Sequence, residues 1–259
     1  MFDVTPIPSF DDNYIWLISE PDVSLAVVVD PGETGPVVAY LEQASLELGA
    51  ILVTHHHYDH VGGIPGLLQR FPDIEIFGPV KEPIPGVNRR VAEGDLIELP
   101  GMTTRFRVLD TPGHTAGHVS YIGENALFCG DTLFAAGCGR VFDGTHEALA
   151  ASLVRFAGLP VETQVYCAHE YTLDNLGFAA WVEPESEAIK LRLLADRASR
   201  ESGRPTLPAP LATELATNPF LRTGERDVIT AAEGYAGKKL FGDEAVFTAL
   251  RNWKDREYD

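Results

Sequence analysis

Cysteine is scarce in this chain. Its 259 residues hold three, Cys129, Cys138 and Cys167, an odd number without close pairing, which excludes a disulfide framework and suits a reducing compartment. Basic residues are also few, 20 Lys and Arg against 38 Asp and Glu, for a net charge of −18. No Lys/Arg cluster interrupts that field, so a nucleic acid or an anionic membrane would meet net repulsion. Missing too is any apolar run near the ~20 residues that span a bilayer, and M-F-D-V-T-P carries neither a basic leader nor an apolar one. The expectation is a cytoplasmic protein. Repeats and low-complexity tracts are absent.

Gly and Pro, by contrast, are plentiful at 24 and 18, which favours loops over long helices. Short apolar runs of strand length recur at 25–29, 51–53, 74–77, 106–109, 126–128 and 165–167. Several end directly in polar residues: D-P-G at 30, T-H-H-H at 54, D-T-P-G-H at 110, G-D-T at 130 and A-H-E at 168. Helical spacing fills 35–48, 61–71 and 146–157, the last with Thr145 as N-cap. Strands mixed with helices make this an α/β region. After about Tyr171 strand-like runs cease, and 185–201, 225–233 and 244–253 read as helices. The R-P-T-L-P-A-P stretch at 204–210 is an extended connector, because proline cannot occupy a helix interior.

The chemistry concentrates at T-H-H-H-Y-D-H, residues 54–60, where four of the eight histidines follow a strand. Neutral imidazole is the usual ligand of zinc-like ions, and a carboxylate in the same turn adds hard oxygen and charge. A tag-like histidine tract would be terminal, not set between I-L-V and V-G-G. One loop cannot aim every one of these side chains at one point. His114, Asp131 and His169 stand at other strand ends where further ligands are expected. Seven nitrogen and oxygen donors exceed one ion's need and suit two ions sharing a carboxylate, with positions left open for catalysis.

T-H-H-H-Y-D-H resembles the H-x-H-x-D-H signature of the metallo-β-lactamase superfamily, and T-P-G-H-T-A-G-H, C-G-D-T-L-F and C-A-H-E-Y-T follow in that superfamily's order. The narrower resemblance is to the glyoxalase II (hydroxyacylglutathione hydrolase) family. It is carried by I-P-S-F-D-D-N-Y-I-W-L-I, A-A-G-C-G-R, T-N-P-F-L-R and R-N-W-K, and runs from about residue 5 to 254. It implies an α/β fold, a four-layered αββα sandwich, with a C-terminal helical domain. The metal-binding part would span 1–170 and the substrate-binding part 171–259. It also implies that His55, His57 and His114 hold one metal and Asp59, His60 and His169 a second. Asp131 would bridge the two and, with Asp59, act in catalysis. His56 is unmatched, His118 reads as a buried imidazole bonded between loops, and His146 as a surface residue. Arg140, Phe142, Tyr171, Arg251 and Lys254 would contact the glutathione part. Without the resemblance, Arg251 and Lys254 would read as a solvated last helical turn that complements the dipole. Three positions depart from the pattern. Tyr58 replaces Trp, Arg140 replaces Lys and can still contact a carboxylate, and Phe142 replaces a hydroxylated aromatic, leaving only its ring and backbone N–H to offer.

The implied reaction is metal-dependent hydrolysis of S-D-lactoylglutathione to glutathione and D-lactate, the second step of methylglyoxal detoxification. Two divalent ions, zinc before iron or manganese, would act in a monomer on a small-molecule thioester, without nucleic acid or membrane. A thiolate leaves with a pKa near ~8.5, so little general acid is required. The rival is a persulfide dioxygenase of the same fold with one iron, and a third reading is a nucleic-acid-processing or non-catalytic member. The complete second-metal set Asp59, His60 and His169 favours the hydrolase.

Overall fold

The computed structural model describes residues 2–258. The chain divides into two compact units. The first holds the chain up to Thr111 together with Gly117–Gly130, and the second holds Pro112–Ala116 and the chain from Asp131 onwards.

In the first unit, β1 (Asp3–Ser9), β2 (Asn13–Ser19), β3 (Leu25–Val29), α1 (Thr34–Ala44), β4 (Glu47–Leu52), α2 (Tyr58–Val61), α3 (Ile64–Arg70), β5 (Glu75–Pro79) and β6 (Arg89–Val91) build a sheet ordered β1 to β6 with its helices. β1, β2 and β3 pair antiparallel, and β3 to β6 pair parallel. Then β7 (Leu96–Glu98), β8 (Arg105–Asp110), β9 (Val119–Gly123) and β10 (Ala126–Gly130) follow as an antiparallel run. One face of the first sheet, through Ile15, Leu17, Val28, Ile51 and Ile76, packs on Val37 and Leu41 of α1 and Ile64 and Leu67 of α3. The other face is buried as well, at Trp16, Ile18, Val27 and Leu52. Tyr121 of β9 donates its hydroxyl to Val53 O at 2.7 Å. Burial on both faces explains why β3 and the Ala50-Ile51-Leu52 end of β4 are continuous apolar runs without alternation.

The second unit contains the hairpin β11 (Leu133–Phe134) and β12 (Gly137–Cys138), then α4 (His146–Ala157), β13 (Gln164–Cys167), α5 (Thr172–Val182), α6 (Glu187–Glu201), β14 (Ala209–Pro210), α7 (Leu211–Thr217), a 3₁₀ turn at Pro219–Leu221, α8 (Arg226–Ala236) and α9 (Asp243–Trp253). Thr145 caps α4 as expected, its hydroxyl accepting from Ala148 N at 3.1 Å. No helix among the described residues is long and apolar enough to cross a membrane.

Several sequence expectations shift. The 35–48 helix stops at Ala44, where Ser45 turns left-handed and Leu46 N–H closes on Leu41 O. Glu47 and Leu48 join β3 instead, pairing with Leu25 and Ala26. The 61–71 helix is two pieces separated by Gly62-Gly63. Past Tyr171 the helix α5 was not anticipated, and strand pairing does recur, since Ala209-Pro210 of the proline-rich connector pairs with Gln164-Val165. His146 is half-buried, its ring edge-on to Phe247 at 6.2 Å.

Candidate metal centre

Two sets of imidazoles and carboxylates form, one in each unit. In the first, β4 ends at Leu52, and the chain runs through Val53-Thr54 to the histidine string before turning into the four-residue helix α2. That single turn places Asp59 and His60 side by side, with His60 Nε2 3.4 Å from Asp59 Oδ2. His55 Nε2 lies 3.1 Å from His57 Nδ1. In the second unit, Asp131 directly follows β10 and faces two imidazoles, with His114 Nε2 3.5 Å from its Oδ2 and His169 Nε2 3.5 Å from its Oδ1. All three side chains are buried.

Hydrogen-bond partners fix the tautomers. His114 Nδ1 lies 2.8 Å from Arg140 O. A carbonyl only accepts, so Nδ1 carries the proton and Nε2 presents its lone pair to Asp131. His60 Nδ1 lies 3.1 Å from Asp30 Oδ2, a buried contact between imidazole and carboxylate that lacks hydrogen-bond geometry. Thr54 donates its hydroxyl to Asp30 Oδ2 at 2.7 Å and sits 3.0 Å from His55 Nδ1. Its oxygen is therefore the acceptor for His55, whose lone pair sits on Nε2. Separations of 3.4 to 3.5 Å between Nε2 and carboxylate oxygens make poor hydrogen bonds. They do match ligands on one tetrahedral ion, because two atoms each ~2.0–2.1 Å from zinc lie about 3.4 Å apart. The donor set fits divalent metal. Among the described residues, the groups able to hold an ion are drawn from His55, His57, Asp59, His60, His114, Asp131 and His169 and from no others.

Beneath these donors lie residues that the sequence did not single out. Asp30, buried with φ +52°, takes Thr54 N–H at 2.8 Å as well as the Thr54 hydroxyl. Asn13 Nδ2 donates to Asp59 Oδ2 at 3.0 Å. The only sequence signal for Asp30 was its place after an apolar strand, a feature shared by many structural turns. Gly130 before Asp131 has φ +47°, and a Cβ there would come within 2.4 Å of Thr54 Oγ1 and 2.7 Å of His118 Nε2. Only glycine allows that approach.

The other flagged residues sort as follows. His118 is buried, 3.1 Å from Thr111 Oγ1 through Nδ1, and stacks on His55 at 4.8 Å. His56 turns aside to Glu82, 2.8 Å away. Tyr58 is 74% exposed, so the departure from Trp leaves no cavity. Tyr171 stacks on His169 with ring centroids 4.8 Å apart, and Phe134 meets both rings edge-on. Phe142 donates its backbone N–H to His114 O at 3.0 Å, and its largely exposed ring stands edge-on to the His114 ring. Only the ring is left for a ligand, which corrects the expectation that the N–H was also on offer.

Arg251 and Lys254 are no solvated helix end. They are 1% and 6% exposed. Arg251 donates to Asp255 Oδ1 at 3.1 and 2.8 Å and to Cys138 O at 3.0 Å. Burial pulls its pKa down, but Cys138 and Asp255 more than offset this, and the guanidinium stays charged. Arg140 is half-exposed, with Nε 3.8 Å from Asp255. Burial pushes the Cys138 thiol up to about 11 despite Arg251 beside it, so it offers no thiolate at neutral pH. The Cys167 thiol is raised further by burial.

Residues 9–169 match the metallo-beta-lactamase superfamily, and residues 170–257 match the hydroxyacylglutathione hydrolase C-terminus. A hydroxyacylglutathione hydrolase of Alkalilimnicola ehrlichii is 51% identical over 99% of this chain and 100% of its own. The solved BLEG-1 B3 metallo-beta-lactamase shares the fold, with a TM-score of 0.63 at 23% identity over 85% of this chain and 99% of its own. TTHA1623, solved in a di-iron-bound form, is 30% identical with a TM-score of 0.52 over 64% of this chain and 91% of its own.

Proposed function

The chain belongs to the metallo-β-lactamase superfamily, and from that premise we propose that it is a hydroxyacylglutathione hydrolase cleaving S-D-lactoylglutathione to glutathione and D-lactate. One observation carries this reading. Similarity to a hydrolase of that name spans both ends of the chain and includes the 170–257 region that characterises those enzymes. The same region weighs against a persulfide dioxygenase.

His55, His57 and His114 would hold one divalent ion and Asp59, His60 and His169 another, with Asp131 shared. A neighbour solved with two irons supports the count, and zinc is the first candidate, before iron or manganese. When bound, such ions polarise a carbonyl and lower the pKa of water from ~15.7 to about 7. The chain's residues do the rest. Thr54 and the Arg140 carbonyl hold His55 and His114 in the tautomer that leaves the lone pair on Nε2, and the Asp30 carboxylate lies against His60. Asp59 and Asp131 supply two negative charges against four positive ones, so a locally cationic mouth opens in a protein of charge −18 and draws an anionic thioester. Arg140, Arg251 and Lys254 would grip the glutathione carboxylates, with the Tyr171 and Phe142 rings beside them. No side-chain nucleophile is required, in keeping with the burial of all three cysteines.

In this reading residues 1–170 carry the metal chemistry and 171–259 the substrate grip, in a cytoplasmic monomer that engages neither nucleic acid nor membrane. Elemental analysis beside a thioester assay tests it. Two ions per chain are expected, with activity lost to a strong chelator and restored by Zn(II), Mn(II) or Fe(II). Turnover by rigorously metal-free protein would refute the mechanism. One iron with O₂ uptake on a glutathione persulfide would favour the dioxygenase.

A further inference from the structure

The T-N-P-F-L-R string at 217–222 contributes no ligand, and neither does the β11–β12 hairpin, yet the two are bonded together. Asn218 Nδ2 donates to Phe134 O at 3.2 Å and to Gly137 O at 2.9 Å. Glu214 Oε2 on α7 accepts from Ala136 N–H at 2.7 Å. Asn175 Nδ2 on α5 donates to Ala135 O at 3.0 Å, and Arg251 on α9 donates to Cys138 O at 3.0 Å. Every residue from Phe134 to Cys138 thus has a backbone polar group bonded to a side chain from the helices. Ala136, with φ +54°, is fully buried against Leu176, Ala179 and Ile189.

The clasping groups are themselves held. Glu214 is 0% exposed and receives Arg192 Nη2 at 2.6 Å, while Arg192 Nη1 donates to Thr217 Oγ1 at 2.6 Å. Burial depresses the Arg192 pKa, but the Glu214 and Asp196 carboxylates reverse this and keep it charged. Asn218 Oδ1 accepts from Phe220 N at 3.0 Å. A buried ion pair and a buried amide are costly to desolvate where apolar side chains would pack. Here both terminate on the hairpin.

The hairpin begins two residues after Asp131 and ends two before Arg140, whose carbonyl fixes the His114 tautomer at 2.8 Å. Gly139, the residue that follows the return strand, lies against the Asp131 backbone and the His114 ring, because a Cβ on it would stand 2.0 Å from Asp131 O and 2.9 Å from His114 Nδ1. We infer that Glu214, Asn218 and Asn175 are positioning residues of the metal centre, setting the Asp131 carboxylate and the His114 imidazole through this hairpin. The helices then contribute to metal affinity and turnover as well as to substrate grip. The inference rests on the ligand assignment proposed above.

Asn218→Asp keeps the shape but turns a donor amide into an acceptor facing two carbonyls and Glu214. Asn175→Ala removes one bond only. Folded protein of each kind, loaded with Co(II), is titrated with a chromophoric chelator and assayed on S-D-lactoylglutathione. Both variants should bind Co(II) about tenfold more weakly, as for other residues that orient ligands. Their visible Co(II) spectra should shift, and kcat should fall while KM stays within twofold. A lowered unfolding midpoint with affinity, spectrum and kcat unchanged would overturn the inference, as would a change confined to KM. If Asn218→Asp does not fold, Asn175→Ala decides alone by the same readouts. Parent protein that binds no Co(II) would overturn the ligand assignment and this inference with it, whereas a parent that binds two ions beside unaltered variants would overturn the inference alone.

Discussion

His60 Nδ1 lies 3.1 Å from Asp30 Oδ2, and both side chains are sealed from solvent. A carboxylate this close to an imidazole raises its basicity as a ligand. Asp30→Asn keeps a side chain that tolerates positive φ but loses the charge. Metal affinity should drop roughly 10- to 100-fold with the fold retained. Chelator competition checks this, and affinity within twofold of the parent would remove Asp30 from the centre.

Asp131 and His118 are both buried, yet only Asp131 is assigned to metal. Asp131→Ala should lower metal content from two ions per chain toward one or none. His118→Ala should keep both ions and instead cost about 2–3 kcal/mol of stability, from its lost packing on His55 and its lost bond to Thr111. Elemental analysis and urea unfolding separate the effects. Equal metal loss in two folded variants would contradict the assignment.

Arg140 permits a cleaner test of substrate grip than Arg251. Its pair with Asp255 is long and half-exposed, so Arg140→Ala should leave the melting temperature unchanged. It should lower kcat/KM roughly five- to tenfold, mainly through KM, the mark of binding equal in ground and transition states. A thioester without the tripeptide should be cleaved equally by parent and variant. Arg251→Ala should show the same kinetic defect together with a loss of stability, because it strands Asp255 and the Cys138 carbonyl. Unchanged kinetics in both variants would leave these cations with a structural role only.

Burial of Cys138 has a consequence at high pH. Its folded pKa is about 11, above that of an exposed thiol, so between those values the unfolded chain has lost a proton that the folded chain keeps. Stability therefore falls as pH rises toward 11 and is unaffected by this group near neutrality. Native protein at pH 8 should leave a thiol reagent unreacted, and unfolded protein should titrate three thiols. Rapid native labelling would show that this region opens.

The candidate metal donors were legible because their chemistry is local. Strand ends followed by His and Asp announce donors whatever the remainder of the chain does, and Thr145 announced its helix because a cap acts within three residues. Two neighbouring imidazoles could not be told from ligands by residue type. His56 and His118 were set aside by the family resemblance alone, and the directions of their side chains, toward Glu82 and Thr111, supply the physical reason. Strand β14 and the end of α1 likewise depended on partners elsewhere in the chain. Pairing with Gln164-Val165 makes a strand of Ala209-Pro210, and pairing with Leu25-Ala26 takes Glu47-Leu48 out of the helix. Arg251 and Lys254 show the same limit, since spacing alone describes a wet helix end whereas packing buries both. The amino-acid sequence by itself determined which donors exist and what ions they suit. Tertiary structure decided which nitrogen of His114 carries the proton and which carboxylate lies beside His60, because a tautomer is set by whatever group stands across a hydrogen bond, and Arg140 and Asp30 reach these histidines from positions 26 and 30 residues away in the chain.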